Sequence, residues 1–224
     1  MLAGQDQEQK SEEALEHLCR TYWYPLYSFV RRLGHASPDA KDLTQSFFVH
    51  LLQTRLVAKA SPDAGKFRSF LLVSLKHFLS SQRDREQAQK RGGGQAIISL
   101  DVQDAEGRYG QEPKDESNPE AAYEQAWAMT VLDQAITELE KEYEESRKRH
   151  IFQALRIFLL GEKVPLTYVE VSKSLGTTEA AVKMLVQRMR RRYRECLRAV
   201  VAQTVASPDD ADEELRHLVQ VLSG

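Results

Sequence analysis

Apolar residues recur along this chain at three- and four-residue spacing, alternating β-branched runs are few, and glycines gather where such stretches end. That period predicts helix almost throughout. In the N-terminal part it predicts a helix around Glu12 to Arg20, a second from Tyr22 to Leu33 ended by Gly34, and a third from Pro38 to about Thr54. A long fourth helix follows, from about Gly65 to Gln89. It keeps Phe67, Phe70, Leu71, Leu75, Phe78 and Leu79 on one face, the spacing of core packing, before turning polar and basic. Ser-Pro-Asp occurs three times, beginning at Ser37, Ser61 and Ser207. Each triplet reads as a helix start: serine to cap the free N–H groups, proline with the φ a first turn needs, aspartate against the positive dipole end.

After the long helix come Gly92 to Gln95 and then about two dozen residues rich in turn formers and acids. They lack a helical period and read as a flexible linker. A short strand at Ile97 to Leu100 would have no partner. Asn118 and Pro119 restart helix, with Tyr123, Trp127, Val131 and Ile136 at helical spacing, and a further helix is expected from about Arg147 to Leu160. The final segment from Ser207 reads as an acidic amphipathic helix with Leu215, Leu218, Val219 and Leu222 on its apolar side. The expected architecture is all-α. Two small helical domains, over residues 1–92 and 119–206, are joined by a linker over 93–118 and followed by a C-terminal extension helix over 207–224.

Between the last two stretches lies a more specific pattern. Thr167 and Glu170 form a T-x-x-E capping box, small Ser172 stands where two helices would touch, and Gly176 takes the left-handed turn position. Val171, Leu175, Val182 and Leu185 stand where the pair must close over a core, and no proline interrupts either helix. This is the spacing of a helix-turn-helix. Stepping about 100° per residue from Val182 brings Val186, Met189, Tyr193, Cys196 and Leu197 onto one stripe. Met184, Gln187, Arg188 and Arg191 fall on the opposite side, with Lys183 on the flank. A helix buried on one face and carrying Gln and Arg on the other suits the major groove, where arginine bonds guanine and glutamine bonds adenine. Thr178, Glu179, Lys183, Met184, Gln187, Arg188 and Arg191 are the candidate duplex-reading residues. Most of the arginines from Arg190 to Arg194 are expected on phosphates.

Charge sharpens this picture. The formal net charge is only -2, but acids collect near the N-terminus, between Asp101 and Glu145 and after Ser207. Lys and Arg concentrate between Lys76 and Arg91 and between Lys183 and Arg198. Two separated basic stretches suggest two contacts with a polyanion. The composition, 42% hydrophobic and 29% charged, is that of an ordinary soluble protein, with no apolar run of membrane-spanning length and no secretory signal. The two cysteines, Cys19 and Cys196, have no metal spacing and read as reduced thiols of a cytoplasmic protein. No cofactor or metal is expected.

The segments Ser37 to Leu52, Gly65 to Arg91 and Leu166 to Cys196 together resemble regions 2 and 4 of the extracytoplasmic-function (ECF) group of the sigma-70 family, promoter-recognition subunits of bacterial RNA polymerase. The resemblance runs from about Tyr22 to Leu197, linker excluded. It implies a factor that binds core polymerase, through the β′ clamp helices and the β flap, and directs it to promoter DNA. One domain would open the minus-10 element and the other read the minus-35 element as duplex. By the same resemblance Asp39, Asp42, Leu43, Gln45 and Ser46 belong to the polymerase-facing helix, and Lys66, Arg68, Lys76, His77 and Arg83 to the part that holds the melted strand, a task suited to basic side chains. Association with the nucleoid would follow from polymerase binding, and an anti-sigma factor or a regulatory kinase is a further candidate partner. Ser46 stands where the motif usually has an acid, and Lys41 replaces another. Phosphorylation of Ser46 or Thr44 would restore negative charge there.

The same residues admit two rival functions. Gly-Gly-Gln within Gly92 to Gln95 matches the loop of peptidyl-tRNA-hydrolysing release factors in three residues only. There is no phosphate loop, no HExxH and no clustered His/Cys, so catalysis is not expected. A stand-alone DNA-binding regulator would need a dimerisation helix to place two recognition helices, and none is visible. The acidic tail has two readings: an extension of the second domain's core, or a cover for the basic recognition helix.

Overall fold

The computed structural model describes the backbone of residues 2–54, 66–88, 105–111, 118–160, 167–205 and 208–223. It is all-α, with no strand among the described residues. The helices are α1 (Leu2–Arg32), α2 (Ser37–Gln53), α3 (Phe67–Ala88), α4 (Ala105–Gln111), α5 (Pro119–Glu145), α6 (Arg149–Leu155), α7 (Ile157–Leu160), α8 (Tyr168–Ser174), α9 (Glu179–Ala202) and α10 (Pro208–Ser223). They fall into two compact units, one of residues 1–130 with 203–224 and the other of residues 131–202. The division differs from the expected domain boundaries in two places. It cuts α5 after Thr130, and it returns α10 to the first unit.

In the first unit the two expected N-terminal helices are one. α1 continues through Pro25, although proline removes a hydrogen bond and crowds the preceding turn. Every residue from Thr21 to Val30 is buried, so tertiary packing of Tyr22, Leu26, Tyr27, Phe29 and Val30 outweighs that local defect. α2 and α3 pack on α1, with Phe47, Phe48, Leu51, Leu71 and Leu75 almost fully buried, and Phe78 largely so. The start of α2 also departs from expectation. Ala36 is its N-cap and no side chain caps it, while the Ser37 hydroxyl lies 3.0 Å from the Tyr27 hydroxyl. The second Ser-Pro-Asp, the Gly-Gly-Gln loop and the possible strand at Ile97 to Leu100 lie outside the described residues.

α4 arises inside the segment expected to be linker, because it has a surface to fold onto. The Tyr27 hydroxyl donates to the Glu106 carboxylate, Arg31 pairs with the same carboxylate at 2.9 Å, and the guanidinium of Arg108 lies 4.1 Å from the centre of the Tyr24 ring. Burial and that hydrogen bond push the Tyr27 phenol up to about 12. The phenol in turn holds the Glu106 carboxyl below its ordinary range.

In the second unit, α5 is closed just beyond its end by Arg147, whose φ of 56° is left-handed. Its N–H bonds to Glu144 O at 2.9 Å and that of Lys148 to Tyr143 O at 2.7 Å, the paired bonds that close a helix C-terminus. The helix expected from Arg147 to Leu160 is divided into α6 and α7 at Arg156. Tyr143 meets Phe152 at 5.8 Å and Phe158 stacks on Tyr168 at 4.7 Å, tying the second half of α5 to α6 and α7 to α8.

Candidate nucleic-acid interface

The sharpest local geometry is that of α8, the turn and α9. The Thr167 hydroxyl accepts from the Glu170 N–H at 3.3 Å, and the Glu170 carboxylate accepts from the Thr167 N–H at 2.7 Å, so the capping box forms as expected. These bonds hold the Glu170 carboxyl below its ordinary range. Gly176, at φ +61°, ends α8, with its own N–H bonded to Lys173 O and that of Thr177 to Ser172 O. A residue with a Cβ would be strained at this φ, which is why glycine stands here. Ser172 is buried where α8 meets α9, and its hydroxyl donates to Val169 O at 2.8 Å.

Along α9 the expected stripe is the packed one. Val182, Val186, Met189 and Cys196 are buried, and Tyr193 and Leu197 are half-buried. Burial pushes the Cys196 thiol up to about 11, as it does that of Cys19, so neither free cysteine is thiolate-like. All seven candidate duplex-reading residues, Thr178, Glu179, Lys183, Met184, Gln187, Arg188 and Arg191, are exposed, Met184 at 59%. Lys183 is held by Glu179 at 2.7 Å and Arg191 by Glu195 at 3.2 Å, both exposed pairs one helical turn apart. Such pairs exchange readily for phosphate, because solvent screens exposed charges and little holds them together.

The arginine run is less uniform than its sequence. Arg190 donates to Phe158 O at 2.9 Å, and Arg192 makes a two-pronged pair with Glu142 at 2.7 and 2.6 Å while also reaching Glu195. The Arg192 pair holds the Glu142 carboxyl below its ordinary range. Two of the arginines expected on phosphates are therefore engaged within the second unit. Arg188, Arg191 and Arg194 remain on the exposed side.

In the first unit, Asp39, Asp42, Leu43 and Ser46 lie at i, i+3, i+4 and i+7 of α2 and line one groove. Lys76, Leu79 and Arg83 of α3 line it too, with Phe29 and Leu33 of α1 and Glu120 of α5. Gln45 lies off this face. Thr44 is fully buried and its hydroxyl donates to Ala40 O at 2.7 Å, which removes it as a modification site in the folded chain. Ser46 is half-buried in the groove wall.

The five candidate strand-holding residues do not share a face. Lys76 and Arg83 lie on the groove and His77 is exposed away from it. Arg68 is buried in the free chain, at 5% exposure, rather than presented at its surface. Its Nε donates to Glu214 at 2.7 Å, another of its nitrogens pairs with Glu124, and the guanidinium sits 5.3 Å from the centre of the Trp127 ring. Lys66 lies 3.4 Å from Glu214 and 4.0 Å from Glu213, and Lys76 donates to Glu120 at 2.5 Å. The acids that meet these cations were not singled out in the sequence. The signal was there in part: Glu120 and Glu124 are one turn apart on α5, and Glu214 interrupts the packed face of α10.

A family model described as ECF sigma factor matches residues 5–199. The chain belongs to the ECF sigma factor family. No curated protein and no solved structure matches it at a significant level. Membership makes this sigma factor a transcription initiation factor that binds core RNA polymerase, with promoter DNA as its other partner, and the family is not one of enzymes. Among the described residues no helix is long and apolar enough to cross a membrane. The match spans both units and includes α2, α3, α8 and all but the last three residues of α9; α2, α3 and α9 carry every candidate residue of the sigma factor except Lys66 and Thr178, which sit at helix starts.

Proposed function

We propose that the chain directs polymerase to promoters by reading the minus-35 element with α9 and holding the melted minus-10 strand along α3, while the Asp39–Ser46 face of α2 docks on the clamp helices. The supporting observation is the division of α9. Six buried side chains hold one face down, and Lys183, Met184, Gln187 and Arg188 stand on the exposed side at the start of the helix. Base-edge contacts come from that end of a recognition helix. Gln187 and Arg188 carry the sequence-reading chemistry, and Arg191 and Arg194, further along, meet phosphates. On this reading residues 1–92 and 119–206 are the functional halves, although the compact units divide elsewhere.

Lys76 and Arg83 are the α3 cations best disposed for the strand, because both line the open groove. The α2 face offers two exposed carboxylates beside Leu43, a surface for a basic partner helix. The test is transcription in vitro with core polymerase and genomic fragments. Promoter-specific starts should appear with the chain and vanish with Gln187→Ala combined with Arg188→Ala. Starts no more numerous than with core alone would reject the reading.

A further inference from the structure

The sequence of α10 suits either more core for the C-terminal domain or a cover for the basic recognition helix. The structure places it in the first unit, against α3 and the first half of α5. Its packed face is Ala211, Glu214 and Leu218, at i, i+3 and i+7, so a carboxylate occupies the middle of an otherwise apolar stripe. A helix added only to enlarge a core has no use for that carboxylate, because burying a charge costs several kcal/mol unless a partner meets it.

The partner is Arg68, met from the other side by Glu124. The His217 ring nitrogen lies 2.9 Å from the same Glu124 and its ring 6.1 Å from Trp127. The acids do not stop at the buried pair. Glu213 and Glu214 face Lys66, and Glu120 holds Lys76. Three cations of one helix region are thus each met by carboxylates from distant segments.

We propose that α10 and the first turns of α5 form an acidic clamp that competes with a single nucleic-acid strand for Lys66, Arg68 and Lys76, holding the free chain closed until a strand displaces it. This rests on the reading of α3 as the strand-holding helix. Carboxylates and phosphates make the same charge-assisted bonds to guanidinium and ammonium groups, so occupation by one excludes the other. Buried ion pairs stabilise little compared with apolar packing, and their best-attested use is to fix a register or a switch. A closed form populated at about 90% would weaken apparent strand affinity about tenfold.

The experiment uses the full chain and a fluorescein-labelled single-stranded oligonucleotide, read by anisotropy across a salt series. Glu213→Gln combined with Glu214→Gln should tighten binding about tenfold. With Lys66 freed while Arg68 keeps Glu124, the slope of log affinity against log salt should steepen by about 0.7. In the unaltered chain, hydrogen exchange supplies a readout independent of any variant: amides of α10 should lose protection when the strand saturates the protein. Lys76→Ala with Arg83→Ala separates the clamp from the reading beneath it. If that pair weakens strand binding while the glutamine pair does not tighten it and α10 protection is unmoved, the clamp is overturned and the strand-holding reading stands. If strand binding ignores Lys76 and Arg83 altogether, both fall.

Discussion

α3 and α9 carry the two basic stretches of the sequence among the described helices, and they keep their cations in opposite conditions. On α9 the outward pairs are short-range and exposed: Lys183 with Glu179 and Arg191 with Glu195 lie on the same helix. At α3 the pairs are long-range, and at Arg68 they are buried, with Glu124 and Glu214 brought from two other helices. An exposed pair costs little to exchange for phosphate, whereas a buried one must be dismantled with the packing around it. Two basic stretches in the sequence thus give one helix ready for a polyanion and one at which Arg68 and Lys76 are already met.

The largest break in that comparison is Arg68→Ala. It strands Glu124 and Glu214 in the interior, and urea unfolding should show a loss of about 3–5 kcal/mol. Met189→Ala cuts the buried stripe of α9 and should cost about 2–5 kcal/mol, whereas exposed Met184→Ala should stay within about 0.5 kcal/mol. The contrast of adjacent arginines is finer. Arg191→Ala should leave stability unchanged and reduce the salt slope of duplex binding by about 0.9. Arg192→Ala should leave that slope alone and cost less than about 1 kcal/mol through the lost Glu142 pair.

Acid should expose the same pairs. Glu106 and Glu120 in the first unit and Glu142 in the second have their carboxyls held below the ordinary range, by Tyr27, Lys76 and Arg192 respectively. A depressed folded-state value means stability fully present above the unfolded carboxyl range, about pH 4.3, and lost as pH falls through the folded values. Thermal unfolding from pH 6 downward should show midpoints falling below that point. One expected effect is a gain: Arg147→Gly relieves a left-handed residue just after α5 and should add about 0.5–1 kcal/mol, the αL cost less the entropy of glycine.

Much of the site was legible because it is local. Thr167 and Glu170 act within one turn, Gly176 needs only its own φ, and the α9 stripe follows from a period of 3.6. What escaped was non-local. The expected break between Arg20 and Tyr22 is absent, because the buried aromatics of α1 hold one continuous helix, and residues 105–111 looked like linker until Tyr27 and Arg31 supplied partners for Glu106. Arg190 and Arg192 read as phosphate contacts until Phe158 O and Glu142 met them.

The amino-acid order alone determined the all-α class, the cap and turn between α8 and α9, and which face of α9 points inward. Those features depend on bonds and periods that close within a few residues. Only the tertiary structure decided which cations are available, because Arg68 meets Glu124 and Glu214 across separations of 56 and 146 residues. Nothing in local periodicity selects one acid among 33 as a partner. Packing selects it, by bringing α5 and α10 to α3 and making an unpaired charge there too costly to leave.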